Sequence, residues 1–525
     1  MRVTNTMIQN NSKTMIGNNK FNVDKYNTQL QTQKKIQTPS EDPVVAIRAL
    51  RLRSTVSRIE QFYDKNIPDA TSWMEVTETA LINMEKIIER LYTQCVSGSN
   101  DPLTDDERNA ILKELQGFQY QIYDELNADD GGRTLFTGYK TDTKFTFDDN
   151  DGKYTNYEIK ETFTGEDISH EYYITNNQQV TYGTIKDSVE NPEMLTVERI
   201  RLAYTDLECN LDSSGSTTDY VDRDGQTVSI ENYESMTLNY VDESGNSQVL
   251  DVETMSINTF EKNNVNSDLI YQPPAGKAYF IPETGEIVLA SDVATTLKSA
   301  TSIEFTYSKT GFNDGEVRPE MYFDCTKTEY DINGTQVGDP VEYTKVENDI
   351  NYSVGFNQKM TINVEGSNVF AADMEKDIDE LINALTYSYA AEKKVNDIKK
   401  MLEDNDYASE EDQQKLNEML SAAKREQDYA DERMHKMFSE GVTKYQEYLK
   451  DVNIAVTDIG SRSKRLDTTK SRVLSQKEVY KELQTKNEDR EISDIIIDYT
   501  ASYTAYQASL QATSKALNTS LLDYI

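Results

Sequence analysis

The chain has 525 residues, enough for several domains and sizeable cores. Its 54 Lys and Arg stand against 92 Asp and Glu, a formal charge of -38, which is the wrong sign for gripping nucleic acid or lying on an anionic membrane surface. No window approaches the roughly 18 apolar residues that suggest a membrane span, so no membrane insertion and no nucleic-acid partner is expected.

The opening stretch, "MRVTNTMIQNNSKTMIGNNKF", carries an early Arg but lacks the apolar run and small-residue cleavage site of a secretory signal. Residence in the cytosol and export without cleavage both stay open. Cys95, Cys209 and Cys325 are odd in number and widely spaced, and read neither as a disulfide framework nor as a metal cluster. Residues 1–38 offer Met7, Ile8, Met15, Ile16, Phe21, Val23, Tyr26, Leu30 and Ile36 among many Asn, Gln and Thr. That is a thin apolar supply against about 1–2 kcal/mol of backbone entropy per residue. The segment is therefore expected to order only when neighbouring subunits bury it.

"TPSEDPVVAIRALRL" follows, with two prolines around a short acidic tripeptide. Pro39 should end the preceding helix-like segment, because the residue before a proline avoids the α region. Ser40 is the expected N-cap, Glu41 and Asp42 suit the positive end of the helix dipole, and Pro43 fits the first turn. The pentapeptide thus predicts a break and restart between two helices.

From Val45 a pattern in steps of four and three runs through Ala49, Leu52, Val56, Ile59, Tyr63, Asn66, Ala70, Trp73, Thr77, Ala80, Met84, Ile87 and Leu91, with only Asn66 and Thr77 polar. The mean spacing of 3.5 is that of a coiled-coil seam. Pro68 lies inside it and should kink or restart the helix. A second helix is predicted from "LTDDERNAILKELQ", with Thr104 and Glu107 forming a capping box and Gly131-Gly132 supplying the stop. "RTLFTGYKTDTKFTF" then reads as strand-like, a β-hairpin.

Residues from about 148 alternate in short runs such as "YEIKETF", "HEYYI", "MTLNYV", "AYFI", "EIVLA" and "SIEFTY", parted by turn pairs including Asp224-Gly225, Ser244-Gly245, Thr284-Gly285 and Asn333-Gly334. This predicts an antiparallel β region of one or two small domains. Helical periodicity resumes near 371 with Met374, Ile378, Leu381 and Leu385. A longer seam follows through Phe438, Val442, Tyr445, Leu449, Val452, Val456 and Ile459, and a last one through Ile492, Ile496, Tyr499, Tyr503, Tyr506, Leu510, Thr513 and Leu517. Heptad segments at both chain ends with a β region between them imply that the ends pack together. The fold class is multidomain α+β: a long coiled-coil helical bundle from both termini with an inserted, mainly antiparallel β region.

Catalytic chemistry finds little footing. His170 and His435 lack ligand partners at i+3 or i+4, and no G-x-S-x-G, Walker A or strand-linked G-x-G-x-x-G occurs. "FDDNDGKYTNYE" fits a calcium loop poorly because Phe147 stands at the first ligand position. No catalytic residue, cofactor or metal is expected.

"TPSEDPVVAIRALRL" with its helical continuation, "LFTGYKTDTKFTF", "MTINVEGSNVFAADM" and the tail "YTAYQASLQATSKALNTSLLDYI" resemble the flagellar hook-associated protein 3 family, hook-filament junction proteins of the flagellin-like group. The resemblance covers roughly residues 1–147 and 355–525. It departs at the charged stretch around 403–433, longer than expected. It implies a non-enzymatic structural subunit, exported without a cleaved signal and located at the hook-filament junction of the extracellular flagellum. The implied partners are itself in a ring, hook-associated protein 1, flagellin and a flagellar export chaperone. The implied layers are an inner axial helical pair (1–42 and 495–525), a helical rod (43–147 and 354–494) and an outward β-rich insertion (148–353). The connector between layers is Pro39, Ser40, Glu41, Asp42 and Pro43. The seam residues Val45, Leu52, Val56, Ile59, Trp73, Met84, Ile87, Leu91, Phe438, Val442, Leu449, Val452, Tyr499, Tyr503, Tyr506, Leu510 and Leu517 would mediate helix packing and self-assembly. The alternatives are a flagellin-type filament subunit, which would carry "INSAxDDAAGLAI" where this chain has "IQTPSEDPVVAIRAL", or a binding or catalytic β insertion on a flagellar rod.

Overall fold

The computed structural model describes residues 5–100, 103–148 and 152–518. Helix α1 (Asn5–Thr32) precedes α2 (Pro43–Gln61), a π-turn (Phe62–Asn66), α3 (Ile67–Asn100) and α4 (Asp105–Leu126). Strands β1 (Thr155–Phe163), β2 (Ile168–Ile174), β3 (Met194–Arg201), β4 (Thr217–Val221), β5 (Thr227–Glu231), β6 (Met236–Val241) and β7 (Ser247–Thr254) follow. After α5 (Ile257–Lys262) come β8 (Ala278–Ile281), β9 (Glu286–Leu289), α6 (Ser291–Lys298) and β10 (Ser302–Thr310). The middle closes with β11 (Asp324–Tyr330), β12 (Gln336–Tyr343), β13 (Asn351–Gly355) and β14 (Gln358–Thr361). Then α7 (Met374–Glu403), the long α8 (Glu410–Glu488) and α9 (Ile492–Asn518) return to helix. The chain forms two compact units, residues 1–71 with 351–361 and 462–525, and residues 72–350 with 362–461.

In the first unit α1 packs along α9. Ser12, Ile16, Asn19, Val23, Tyr26 and Leu30 are the half-buried stripe of α1, and their steps of four and three are those of a coiled-coil seam. On α9 the covered stripe is Ile495, Tyr499, Ser502, Tyr506, Ser509 and Thr513. The expected α9 seam is therefore only partly the one used: Tyr499, Tyr506 and Thr513 lie on it, whereas Ile492, Ile496, Tyr503 and Leu510 are exposed. Two seams coexist on this helix because apolar residues occupy more than one stripe, and α1 covers one of them. The side chain of Leu517 lies outside the described residues.

The seam from Val45 holds through the unit. Ala49, Val56, Ile59 and Ala70 are buried and Val45 and Leu52 half-buried, and on α8 of the same unit Leu466, Thr469 and Val473 are buried. Pro68 breaks the hydrogen-bond ladder upstream of itself. It has no N–H to give, and the Ile67 N–H reaches back five residues to the Phe62 carbonyl, closing a π-turn before α3 continues. The hairpin β13–β14 adds Phe356, whose ring meets Phe62 edge-on at 5.5 Å.

In the second unit ten strands form one sheet in the order β12-β11-β1-β10-β6-β7-β8-β9-β3-β2, antiparallel except between β7 and β8. The six quoted alternating runs all fall within or across strands, and the four quoted Gly turns join β4–β5, β6–β7, β8–β9 and β11–β12. Ten of the fourteen described strands thus share one sheet, in which β1 pairs both with its distant partner β10 and with β11. "RTLFTGYKTDTKFTF" is a series of turns with isolated bridges, not a hairpin. Asn127 accounts for part of this: its amide oxygen accepts from the Phe145 and Thr146 N–H groups, which takes them out of any ladder. The capping box of Thr104 and Glu107 forms as expected, but α4 stops at Leu126 with Asn127 as its cap, short of the glycine pair.

Around the sheet the helices meet closely. Trp73, Met84, Ile87, Leu91, Phe438 and Val452 are buried, Val442 and Leu449 half-buried. A Cβ at Gly98 would sit 2.3 Å from the Phe438 ring, and one at Gly441 would sit 3.0 Å from the Cys95 sulfur, so both glycines are required by close helix approach. The charged stretch that departs from the family resemblance is the start of α8. With α7 it forms a helical hairpin around Val395, Ile398, Met401, Leu416 and Met419, against which Val180, Ile185 and Val189 rest.

Candidate functional site

The break between α1 and α2 has a definite geometry. Helix α1 ends at Thr32, well before Pro39, and Gln33 takes a left-handed φ of 58°. The N-cap of α2 is Asp42, not Ser40: its carboxylate accepts from the Val44 and Val45 N–H groups at 3.0 and 3.1 Å. The cause is Pro43, which forces the preceding residue into extended backbone, the conformation an N-cap needs. Asp42 accordingly has φ -150° and ψ 97°. Glu41 folds back instead, accepting from the Gln37 and Thr38 N–H groups at 3.1 and 3.0 Å. Burial alone would raise the Glu41 carboxyl, but these donors hold it below its usual range.

This connector is paired with the one between α8 and α9. The Lys35 N–H donates to the Glu488 carbonyl at 2.8 Å and the Arg490 N–H to the Gln33 carbonyl at 3.0 Å, a short antiparallel bridge between the two chain ends. Glu488, nearly enclosed, takes a bidentate grip from Arg53 through Nε and Nη2, and Lys34 binds both Glu488 and Asp489. The Arg53 hydrogen bond, opposed by burial, keeps the Glu488 carboxyl low. Arg490 donates to Gln29 on α1, pairs with Asp498 on α9, and covers the Tyr26 ring. Both connectors are thereby fixed to each other and to the ends of four helices. The sequence pattern pointed to residues 39–43 but missed Glu488, Arg53, Lys34 and Arg490, whose contacts across the two connectors join positions more than 400 apart and share no local period.

A second cluster lies wholly in the other unit. Arg199 and Arg201 on β3 are almost fully buried. Arg199 pairs with Glu171 on β2, Glu286 on β9 and Glu380 on α7, and Arg201 with Asp373, Asp377 and Glu380. Arg433 and Lys444 of α8 close it on Glu171 and Asp377. Burial would raise the Asp377 carboxyl, but Arg201, Lys444 and the Tyr448 hydroxyl outweigh it and hold it at about 2. Nearby Lys376, also buried, donates to the Leu202 and Gly285 carbonyls, and burial pulls it down to about 8. The cluster clamps sheet to helices. A trace of it was visible in sequence: Arg199 and Arg201 share one strand face at period two, and Asp373, Asp377 and Glu380 share one helix face at steps of four and three.

Nothing in either cluster is arranged for bond chemistry. His170 is exposed, and His435 places Nδ1 2.9 Å from the Gly98 carbonyl, a helix-packing contact. Among the described residues no group of three or more His, Cys, Asp or Glu could hold a metal ion, and no helix is long and apolar enough to cross a membrane. Part of the poor calcium-loop match, residues 149–151, lies outside the described residues.

Residues 3–141 match the family described as the bacterial flagellin N-terminal helical region. That match takes in about the first quarter of the chain, from α1 to the turns after α4. The chain's curated relatives are narrower in kind: it is 32% identical over 155 residues to the flagellar hook-associated protein 3 of Escherichia coli (strain K12), and 30% identical over 155 residues to that of Salmonella typhimurium (strain LT2). Each match covers 29% of this chain and 48% of the relative, so the chain spans about half the length of the curated relatives it matches. The crystal structure of flagellar hook-associated protein 3 from Legionella pneumophila aligns over 83% of this chain and 97% of its own at 12% identity, with a TM-score of 0.30.

Proposed function

We propose that the chain is a structural, non-enzymatic subunit of the bacterial flagellum that joins the hook-associated zone to the flagellin filament, assembling as a ring through its terminal helices. The observation that carries this reading is the unfinished α1–α9 pair. Its inner stripe is only half-covered, and Met7, Met15 and Phe21 of α1 with Ile496, Ile497, Tyr503 and Leu510 of α9 stay exposed. Two amphipathic helices with a second apolar stripe each are built to be buried by further helices. In this reading α1 and α9 form an inner layer, the paired connectors fix its entry to the next helices, and the sheet lies outside. Hook-associated protein 1 and flagellin are the neighbours along the flagellum, and an export chaperone covers the tail before export, which proceeds without a cleaved signal. The two curated relatives, both named flagellar hook-associated protein 3, favour the junction over the filament.

The test combines location and a point change. Leu510→Asp places a carboxylate on the outward stripe, where assembly would bury it at a cost of several kcal/mol. Because Leu510 is 42% exposed in the single chain, the variant should fold and be exported normally yet leave cells without attached filaments. Immunogold labelling of the unmodified protein should mark the hook-filament boundary. Normal filaments on the variant would remove the assembly role of this stripe, and label along the whole filament would make the chain a flagellin.

A further inference from the structure

Charge is divided very unequally between the two compact units. The unit of residues 1–71, 351–361 and 462–525 holds 22 Lys and Arg against 15 Asp and Glu, a net +7. The other unit holds the remaining 32 against 77, a net -45, and the two together make the -38 of the chain. A strongly acidic protein therefore carries one basic unit, and within it the cations are not evenly employed. Lys34, Arg53, Lys477, Lys481 and Arg490 are each spent on a carboxylate of the same unit. Arg58, Lys359 and Arg472 are three of those that have no carboxylate partner among the described residues.

Those three gather at one place. A groove of about 650 Å³ opens where the end of α2 and the π-turn meet the hairpin β13–β14. Its lining includes Arg58, Asn66 and Lys359 and contains no carboxylate, in a chain with 92 of them. Arg472 reaches the same edge from α8, donating to the amide oxygen of Gln358, which lines the groove. Arg58 stacks 4.9 Å above the Phe356 ring, itself 38% exposed, which fixes the guanidinium while leaving its N–H groups free to face a ligand. Asn357, at the hairpin tip, has a left-handed φ of 54°. A preset polar groove with three unneutralised cations is suited to carboxylates.

We propose that this groove docks an acidic face of the -45 unit of a second copy of the same chain. The argument for that occupant is charge complementarity: like units of two copies repel or are indifferent, whereas the basic unit of one and the acidic unit of the next attract. The two surfaces are different, so the contact is heterologous, and a repeated heterologous contact closes into a ring or runs on as a helix. The inference rests on the self-assembly reading above and names the surface that gives it direction.

The test is sedimentation velocity of the full chain over a concentration series at about 25 mM and about 500 mM salt, a range over which the screening length falls severalfold. The groove variant Arg58→Glu, Lys359→Glu, Arg472→Glu is compared with Lys262→Glu, Lys393→Glu, Lys399→Glu, which makes the same charge change at exposed positions of the acidic unit. A neutral version with Gln at the three groove positions guards against misfolding of the reversed one. Wild type should associate at low salt and weaken on salt addition. Both groove variants should associate at least about tenfold more weakly, with a flattened salt response, and the control variant should keep the wild-type pattern. Association of the groove variants equal to wild type would overturn the groove and leave self-assembly standing. A wild-type chain that stays monomeric at both salts would overturn both, and so would one that binds poly-glutamate at the groove while remaining monomeric.

Discussion

Replacing Asp377 by Asn should loosen the clamp between the ten-stranded sheet and the helices. The Asp377 side chain is 5% exposed, with Oδ1 2.6 Å from Arg201 and 2.8 Å from Lys444, and Oδ2 accepting from the Tyr448 hydroxyl at 2.7 Å. Its carboxyl is held at about 2 against an ordinary 3.8, which corresponds to about 2 kcal/mol of folded-state stability at neutral pH. Arg201 keeps Asp373 and Glu380 as partners, so the loss stays below the ~3–5 kcal/mol of a fully orphaned buried charge. A loss of about 2–3 kcal/mol is expected. Because the folded-state value is depressed, this contribution is complete above the unfolded value near 4 and disappears as the pH falls through about 2. Urea unfolding followed by circular dichroism and by Trp73 fluorescence, which reports the same unit, measures it. The variant's midpoint should drop at pH 7, with the gap to wild type closing between pH 4 and pH 2. A shift under about 0.5 kcal/mol at pH 7, or a gap that persists at pH 2, would refute the clamp.

Three further outcomes are expected. Glu161, fully enclosed between the Tyr307 hydroxyl and the Ala203 N–H, is pushed up to about 7 by burial. Its ionisation costs stability that grows from about pH 4.5 and is complete above about 7, so Glu161→Gln should stabilise the chain by about 3 kcal/mol at pH 8 and by nothing at pH 4.5 in thermal or urea unfolding. Asp42→Ala removes both acceptor contacts at the start of α2 and should cost about 1 kcal/mol, while Ser40→Ala should leave the unfolding midpoint unchanged; the reverse order would restore Ser40 as the cap. Limited proteolysis of the monomer should cut first within residues 1–40 and 495–525, with fast amide exchange in both tails. Protected tails in dilute monomer would make α1 and α9 ordinary core helices.

What the sequence determined by itself was carried by local period and local turn chemistry. The seam from Val45 to Leu91 survives residue by residue, even across the π-turn, because a 3.5-residue repeat can satisfy only one helix face. The Thr104–Glu107 box and the Gly turns formed where they were read, since each is closed by residues a few positions apart. The helical ends around a β middle followed from the same periods.

Tertiary structure decided the choices that local rules left equal. Helix α9 offered two apolar stripes, and the position of α1 selected Tyr499 and Tyr506 while leaving Tyr503 and Leu510 outside. The gathering of the β runs into a single sheet, the pairing of Lys34 and Arg53 with Glu488, and the collection of Arg58, Lys359 and Arg472 at one groove join residues tens to hundreds of positions apart. Such contacts depend on three-dimensional proximity and charge, for which a sequence has no period, so they become legible only once the chain is folded.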